Sequence, residues 1–583
     1  MCAAALGLPD GIPVLAIGPE QVDRAAVVPL RYGAGGVWES AHWPQVITLE
    51  SGDGPAGNRL PLDQLTPDGW QWPPPHPTDE SLTLAPPGAA PTLGMRDFVR
   101  TALVCEARHG AVRVFVPPLP PDGWAALIPL VEQAAAKAGT PVVLEGYGPP
   151  HDIRLGRCSV APDPGVVECN VPPAGDWDEL VAITRAAHAS AAAAGLTPVR
   201  VADDGRLAGT GGGCHITLGG PTLADSPLLR RPDLLTSLLT YWQHHPSLSY
   251  AFSGLFVGPT SQAPRIDEAR HDSLYELEIA CGLLDEHRRA AAGKAVPPEV
   301  VDRLFRHLLV DVGGNTHRSE FCVDKLCSPD HPAGRLGLLE LRAFESQPDV
   351  RMQLLPMLLV RALVARCWDD PYRAPFVRWG TALHDRFMLP AWLGDDLAAV
   401  CADLDAHGFA FAPSWFDAHL EHRCPLLGVV EHPGVRLELR AALEPWPVLG
   451  EEPGAASPSR PVDSSTERIE VRLVGPAADR FDAGCNGWRV PLAPTATAGT
   501  SAAGVRFCAR RLSLVLHPTM PAHVPLRFAL LDRGSDRPVA GCTYHGTPGR
   551  EVEMGIEGNG SVNAGAGPAS GEFPTTLDLR RVH

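Results

Sequence analysis

GTGGGCHITLGG, residues 209–220, sets a run of glycines directly ahead of one histidine, His215, and closes with a short β-branched stretch and two more glycines. Five of the six positions before Cys214 carry almost no side chain. Glycine lets backbone N–H groups approach an anion, and an imidazole can ligate the cation that accompanies one. A tight bend beside a core histidine produces the same letters. Which reading holds depends on what the rest of the chain brings to His215.

The chain has 583 residues, 45% hydrophobic and 20% charged, so it buries a sizeable core and is long enough for several units. A net charge of −18 argues against a protein whose main work is neutralising nucleic-acid phosphates, but leaves room for ATP, whose charge magnesium and a few local arginines meet. No run of about 18 apolar residues appears, and MCAAALGLPDGIPVLAIG lacks the basic start of a secretory signal, which predicts the cytoplasm and no membrane partner. The 14 cysteines show no CxxC pair, and most sit in apolar settings such as TALVCEA and ARCWDD, as reduced thiols of a cytosolic protein do.

Residues 1–94, rich in Pro, Gly and Trp, read as an irregular N-terminal extension with a few short strands. Residues 97–118 predict two strands joined by the turn ARHG. Residues 123–139 predict an amphipathic helix closed by glycine, followed by strands at PVVLEGY and GVVECNV. Asp176 caps a predicted helix that Gly195 stops. Further helices are predicted at RPDLLTSLLTYWQHHP, over about 270–310 with a break at KAVPPEV, and over 351–368. Strands are predicted at ITLGG and LGLLELRAFES. Strands and helices alternate without a regular βαβ rhythm, so residues 95–455 read as an α+β core with a mainly antiparallel sheet. Short alternating strands within 456–550 predict a small β-sandwich, and 551–583 reads as a flexible tail.

Four glutamates stand inside predicted strands: Glu106 in ALVCEAR, Glu145 in PVVLEGY, Glu168 in GVVECNV and Glu340 in LGLLELRAF. Singly, each fits a solvent-facing strand position. Together with His215 they form a candidate divalent-cation site, because closely spaced carboxylates repel unless cations sit among them. Glu340 and Arg342 are two apart and project from one strand face, so a metal-holding carboxylate and a phosphate-binding guanidinium can stand side by side. An exposed ion pair is the alternative. Arg265, Arg270 and Arg318 lie in loop-like settings that suit binding.

GTGGGCHITLGG, GPTSQAPRIDEARHDSLYELEIA, RLFRHLLVDVGGNTHRSEFCVDKL, GRLGLLELRAFE and YRAPFVRWGTALHDRFMLP together resemble the amidoligase family that accompanies transglutaminase-like proteins, over about residues 95–545. The resemblance implies the glutamine synthetase and glutamate-cysteine ligase fold, an antiparallel sheet lining a funnel, here with a C-terminal β-sandwich-like domain. It implies ATP and Mg2+ (or Mn2+), with His215, Glu340, Glu168 and, more loosely, Glu106 and Glu145 on the metal. Gly211, Gly212, Gly213, Arg265, Arg270 and Arg342 then belong to the nucleotide, and Arg342 and Arg318 to catalysis. Cys214 stands where the family usually has asparagine.

The activity implied is ATP-dependent carboxylate–amine ligation through an acyl phosphate. The substrates are a small-molecule or peptide acid and an amine, with a homo-oligomer and transglutaminase-like or ATP-grasp proteins as possible partners. A kinase of the same fold and a non-catalytic binding partner are the alternatives. A nucleophilic role for Cys214 fits less well than a substitution beside the site.

Overall fold

Short apolar runs at 102–108 and 111–116, rich in β-branched residues, and the αL-ready Gly110 between them make an antiparallel hairpin, and the structure of the chain, a computed structural model, builds its first sheet around it. Apart from short breaks at 202–206, 211–212, 270–272, 329–333 and a few single positions, the structure describes residues 99–449, 461–546 and 574–582. It also describes the segments 14–17, 24–41, 46–48, 93–95 and 552–554. The chain divides into two compact units, Met1–Arg157 and Cys158–His583.

In the first unit six strands run in the order 46–48, 14–17, 24–29, 102–108, 111–116, 142–146, antiparallel inside and parallel at both ends. The sheet takes strands from both sides of residue 95, because Ala25–Pro29 pairs with Ala102–Glu106. Helix Pro121–Ala138, ended by Gly139 in the left-handed region, lays Leu127 and Val131 on Leu103, Val114 and Val116.

In the second unit helix Trp177–Ala193 begins at Asp176, whose carboxylate accepts from the Glu179 N–H at 2.9 Å. The predicted region 270–310 resolves into Ser273–Ala290 and Pro298–Phe305, parted at the proline pair as expected. The main core gathers helices Pro232–His244, Val350–Asp369 and Pro390–Ala406 around a three-stranded antiparallel sheet. Trp242 meets Phe321 and Phe344 edge-on, and Phe252 stacks on Phe344.

A six-stranded sheet and a five-stranded sheet share a second core, which includes Leu437, Val471, Val505, Leu530 and Cys542. These sheets draw on a longer stretch than 456–550: Leu426–His432 and Val435–Ala441 form one edge, and Thr576–Asp578 returns as a parallel strand on Thr500–Cys508. Most of the glycine-rich stretch expected to be flexible, 555–573, lies outside the described residues. The protein is therefore α+β with several antiparallel sheets. Among the described residues no helix is long and apolar enough to cross a membrane.

Candidate active site

The three-stranded sheet pairs Ile216–Leu218 and Phe321–Cys322 on either side of Leu339–Leu341. Ile216, Phe321, Leu339 and Leu341 alternate onto the core face, and Thr217, Cys322 and Glu340 share the other. Glu340 is 5% exposed. Its carboxylate accepts from His215 Nδ1 at 2.7 Å, Arg342 Nη1 at 2.8 Å and Lys325 Nζ at 3.1 Å. Burial pushes this carboxyl up, but the His215 hydrogen bond and the Arg342 and Lys325 charges outweigh it and bring it down to about 2. An ionised carboxylate only accepts, so His215 Nδ1 carries the hydrogen and Nε2 is the ring nitrogen turned away from Glu340. That nitrogen is buried and has no hydrogen-bond partner among the described residues.

The glycine run makes this arrangement possible for a reason the sequence reading did not state. A Cβ on Gly213 would lie 1.9 Å from His215 Nε2, and one on Gly209 would lie 2.1 Å from Glu345 Cδ. Gly254 closes on the same carboxylate, 2.8 Å from its Oε1. The glycines therefore leave room for an imidazole and a glutamate, and Gly213 pairs with Glu345 through a single antiparallel bridge. Glu345, five residues after Glu340, escaped the sequence reading.

Glu345 and Arg342 open onto a cavity that is also lined by Arg200, Tyr250, Ser253 and Gln262. Arg342 Nε is buried without a hydrogen-bond partner, and Arg200 is exposed and makes no ion pair with a described residue. Beneath the cavity, Arg265 spends its donors on Asp267, Ser249 and the carbonyls of Trp242 and Gln243, which holds the loop rather than a ligand. Glu268 accepts from Tyr250 Oη and lies within hydrogen-bond distance of His384 Nε2. Glu320 accepts from Ser249 Oγ at 2.6 Å, and burial lifts its carboxyl to about 7 against the pull of Arg265.

The other expected residues stand elsewhere. Glu106 and Glu145 belong to the first unit, on the sheet face they share with Arg113, and Glu145 forms an ion pair with that arginine. Glu168 lies exposed on the hairpin Ser159–Asp163/Val166–Asn170 and accepts from the Asn170 amide at 2.7 Å. Arg318 sits in the turn after His317, and its N–H donates to the Asn315 carbonyl. Gly211, Gly212 and Arg270 lie outside the described residues. Of the trio Glu168, His215 and Glu340, the structure brings the last two together.

Cys214 lies under the Gln353 amide, and burial pushes its thiol up to about 11. Such a group is a protonated, poor nucleophile at neutral pH. Iodoacetamide at pH 7.5 is therefore expected to leave Cys214 unmodified in the folded protein while labelling the exposed Cys158 and Cys169, as read by peptide mass mapping. Preferential alkylation of Cys214 would contradict this.

Glu340 gives a second expectation. Its folded carboxyl lies below the ordinary glutamate value, so the stability it contributes is present above about pH 4.3 and is lost as pH falls through about 2. Glu340→Gln should cost about 2–3 kcal/mol at pH 7, with the gap to the wild type closing in acid, as measured by urea unfolding across that range.

These features define an α+β protein with a carboxylate-oriented histidine beside a cavity of mixed charge. Residues 76–564, more than four fifths of the chain, match the model of the family described as "Putative amidoligase enzyme", and the chain belongs to that family. The family description is of a ligase-type enzyme. No curated protein and no solved structure gives a match.

Proposed function

We propose that the chain is an ATP- and Mg2+-dependent carboxylate–amine ligase, with the His215 imidazole as the centre of its metal site. The observation that carries this reading is His215 Nε2: buried, unpartnered, and oriented by a hydrogen bond from Nδ1 to an ionised carboxylate. Metal-ligating histidines characteristically donate their second ring nitrogen to a carboxylate in this way. The imidazole nitrogen fits a divalent cation, in a space that a Cβ on Gly213 would fill, and Glu345, whose backbone pairs with Gly213 and whose carboxylate Gly209 and Gly254 make room for, is the carboxylate assigned beside it. Bound there, the cation would offset charge on phosphoryl oxygens.

In this reading Glu340 is a positioning residue, since its oxygens already serve His215, Arg342 and Lys325. Arg342, with its unpartnered Nε, and Arg200 hold the phosphates at the cavity mouth. The substrate carboxylate attacks the γ-phosphorus and ADP leaves. The amine then attacks the acyl carbon, phosphate departs and the amine loses a proton. In this reading the three-stranded sheet would serve as the funnel wall that the resemblance to glutamine synthetase and glutamate-cysteine ligase implies.

The test is ADP release with Mg2+ and a panel of amino acids and amines, with amide product followed by mass spectrometry. ADP release that needs both an acid and an amine and yields a new amide supports the ligase. ADP release that needs no amine and yields a phosphorylated product points to a kinase and overturns it.

A further inference from the structure

Cys322 lies opposite Glu340 in the sheet register, yet the site just described does not use it. The loop leading into its strand is built to present a second ligand. Asp311 Oδ1 accepts from the N–H groups of Gly313 and Asn315 at 2.8 and 2.9 Å, Gly314 takes a positive φ of 79°, and Asn315 Oδ1 accepts from the His317 N–H at 2.9 Å. His317 is thereby carried back over the strand, with Nε2 3.3 Å from Asp324 Oδ2. Ligand atoms of His317, Cys322 and Asp324 all lie within 4.8 Å of one another, and no other described trio of His, Cys, Asp or Glu is so grouped.

Two further contacts orient this trio. The Thr316 hydroxyl donates to Asp324 Oδ2 at 2.8 Å, as residues behind a metal ligand do. The Asp324 backbone N–H donates to the Cys322 sulfur. We infer that His317, Cys322 and Asp324 form a second metal site, one that takes Zn2+ or a similar transition-metal ion rather than Mg2+.

The chemistry of the donors decides the ion. A sulfur, an imidazole nitrogen and one carboxylate oxygen suit a borderline-soft cation of tetrahedral habit, whereas magnesium demands oxygens. Such an ion needs its ligand atoms about 3–4 Å apart, and His317, whose side chain is 62% exposed, can close the remaining distance by a rotamer adjustment. Binding expels the thiol proton: Cys322–SH and M2+ give the Cys322 thiolate–metal bond and H+. Glu340, saturated by its three donors, leaves the fourth position to water or to a ligand on the face it shares with Cys322. The ion would pin the 311–319 loop to the sheet. The inference does not depend on the ligase reading.

The test is Co2+ titration of the full chain in excess Mg2+, with near-ultraviolet thiolate-to-cobalt charge transfer as the readout and circular dichroism as the folding control. The wild type is expected to bind one equivalent with that band, Cys322→Ser to lose the band, and His317→Ala to weaken Co2+ binding at least about tenfold. Cys169→Ser, on a separate hairpin, should bind like the wild type. Binding without the band, a band that persists in Cys322→Ser, or unchanged affinity in His317→Ala would overturn the inference. The exposed loop position of His317 makes that variant decisive should Cys322→Ser misfold.

Discussion

His215→Ala is expected to lower Mg2+- and ATP-dependent turnover by about 10²–10³-fold while moving the melting temperature by no more than a few degrees. On the proposed function the loss is that of the cation site, which would stabilise charge on the transferring phosphoryl group. The fold is expected to tolerate it because Glu340 keeps Arg342 and Lys325 when the imidazole goes. Glu340→Gln should fall between this variant and the wild type, about 10–100-fold down, since it acts through His215 by setting which ring nitrogen is free. ADP release under saturating ATP, with thermal unfolding alongside, makes the comparison. Wild-type turnover in His215→Ala would remove the site.

Gly213→Ala separates the two explanations of the glycine run. If the glycines serve only as a bend, the substitution changes stability and little else. In the structure the new Cβ meets His215 Nε2 at 1.9 Å and Cδ2 at 2.4 Å, so the ring must swing off Glu340 or the Gly213–Glu345 bridge must open. Either response costs about 1–3 kcal/mol of overpacking and displaces a ligand. Turnover should fall about 10²-fold, as it does when a reacting group is misplaced by about 1 Å. Gly282→Ala is the matched control: Gly282 is exposed in helix Ser273–Ala290, a Cβ there meets nothing within 4 Å, and the change should stabilise by about 0.5–1 kcal/mol. Equal activity in the two variants would contradict the cradle.

What could be read from the sequence was what local chemistry decides. Asp176 and Gly139 bound their helices because caps act within a turn, and the hairpin around Gly110 follows from two short strand-forming apolar runs plus a residue that tolerates positive φ. The meeting of His215 with Glu340 was legible because both sit in short β-branched or leucine-rich runs beside glycine or arginine. Which carboxylates join them was not, since a strand shows its alternation but not its neighbour. Glu106 and Glu145 read like Glu340, yet Arg113 stands across from them in their own sheet. Arg265 looked free to bind because nothing local shows that Trp242 and Gln243 offer it their carbonyls. Glu345 and Lys325 were missed because their roles come from the glycine cradle and a three-stranded pairing, both made by distant chain.

The central claim is that His215 Nε2 ligates a divalent cation that serves ATP. Electron spin echo spectroscopy of Mn2+ bound with a non-hydrolysable ATP analogue reads that bond directly, through nuclear modulation from a coordinated imidazole nitrogen. The account predicts nitrogen modulation in the wild type, its loss in His215→Ala, and its retention at lower occupancy in Glu340→Gln. Tight Mn2+–nucleotide binding whose spectrum is the same in the wild type and His215→Ala would contradict it.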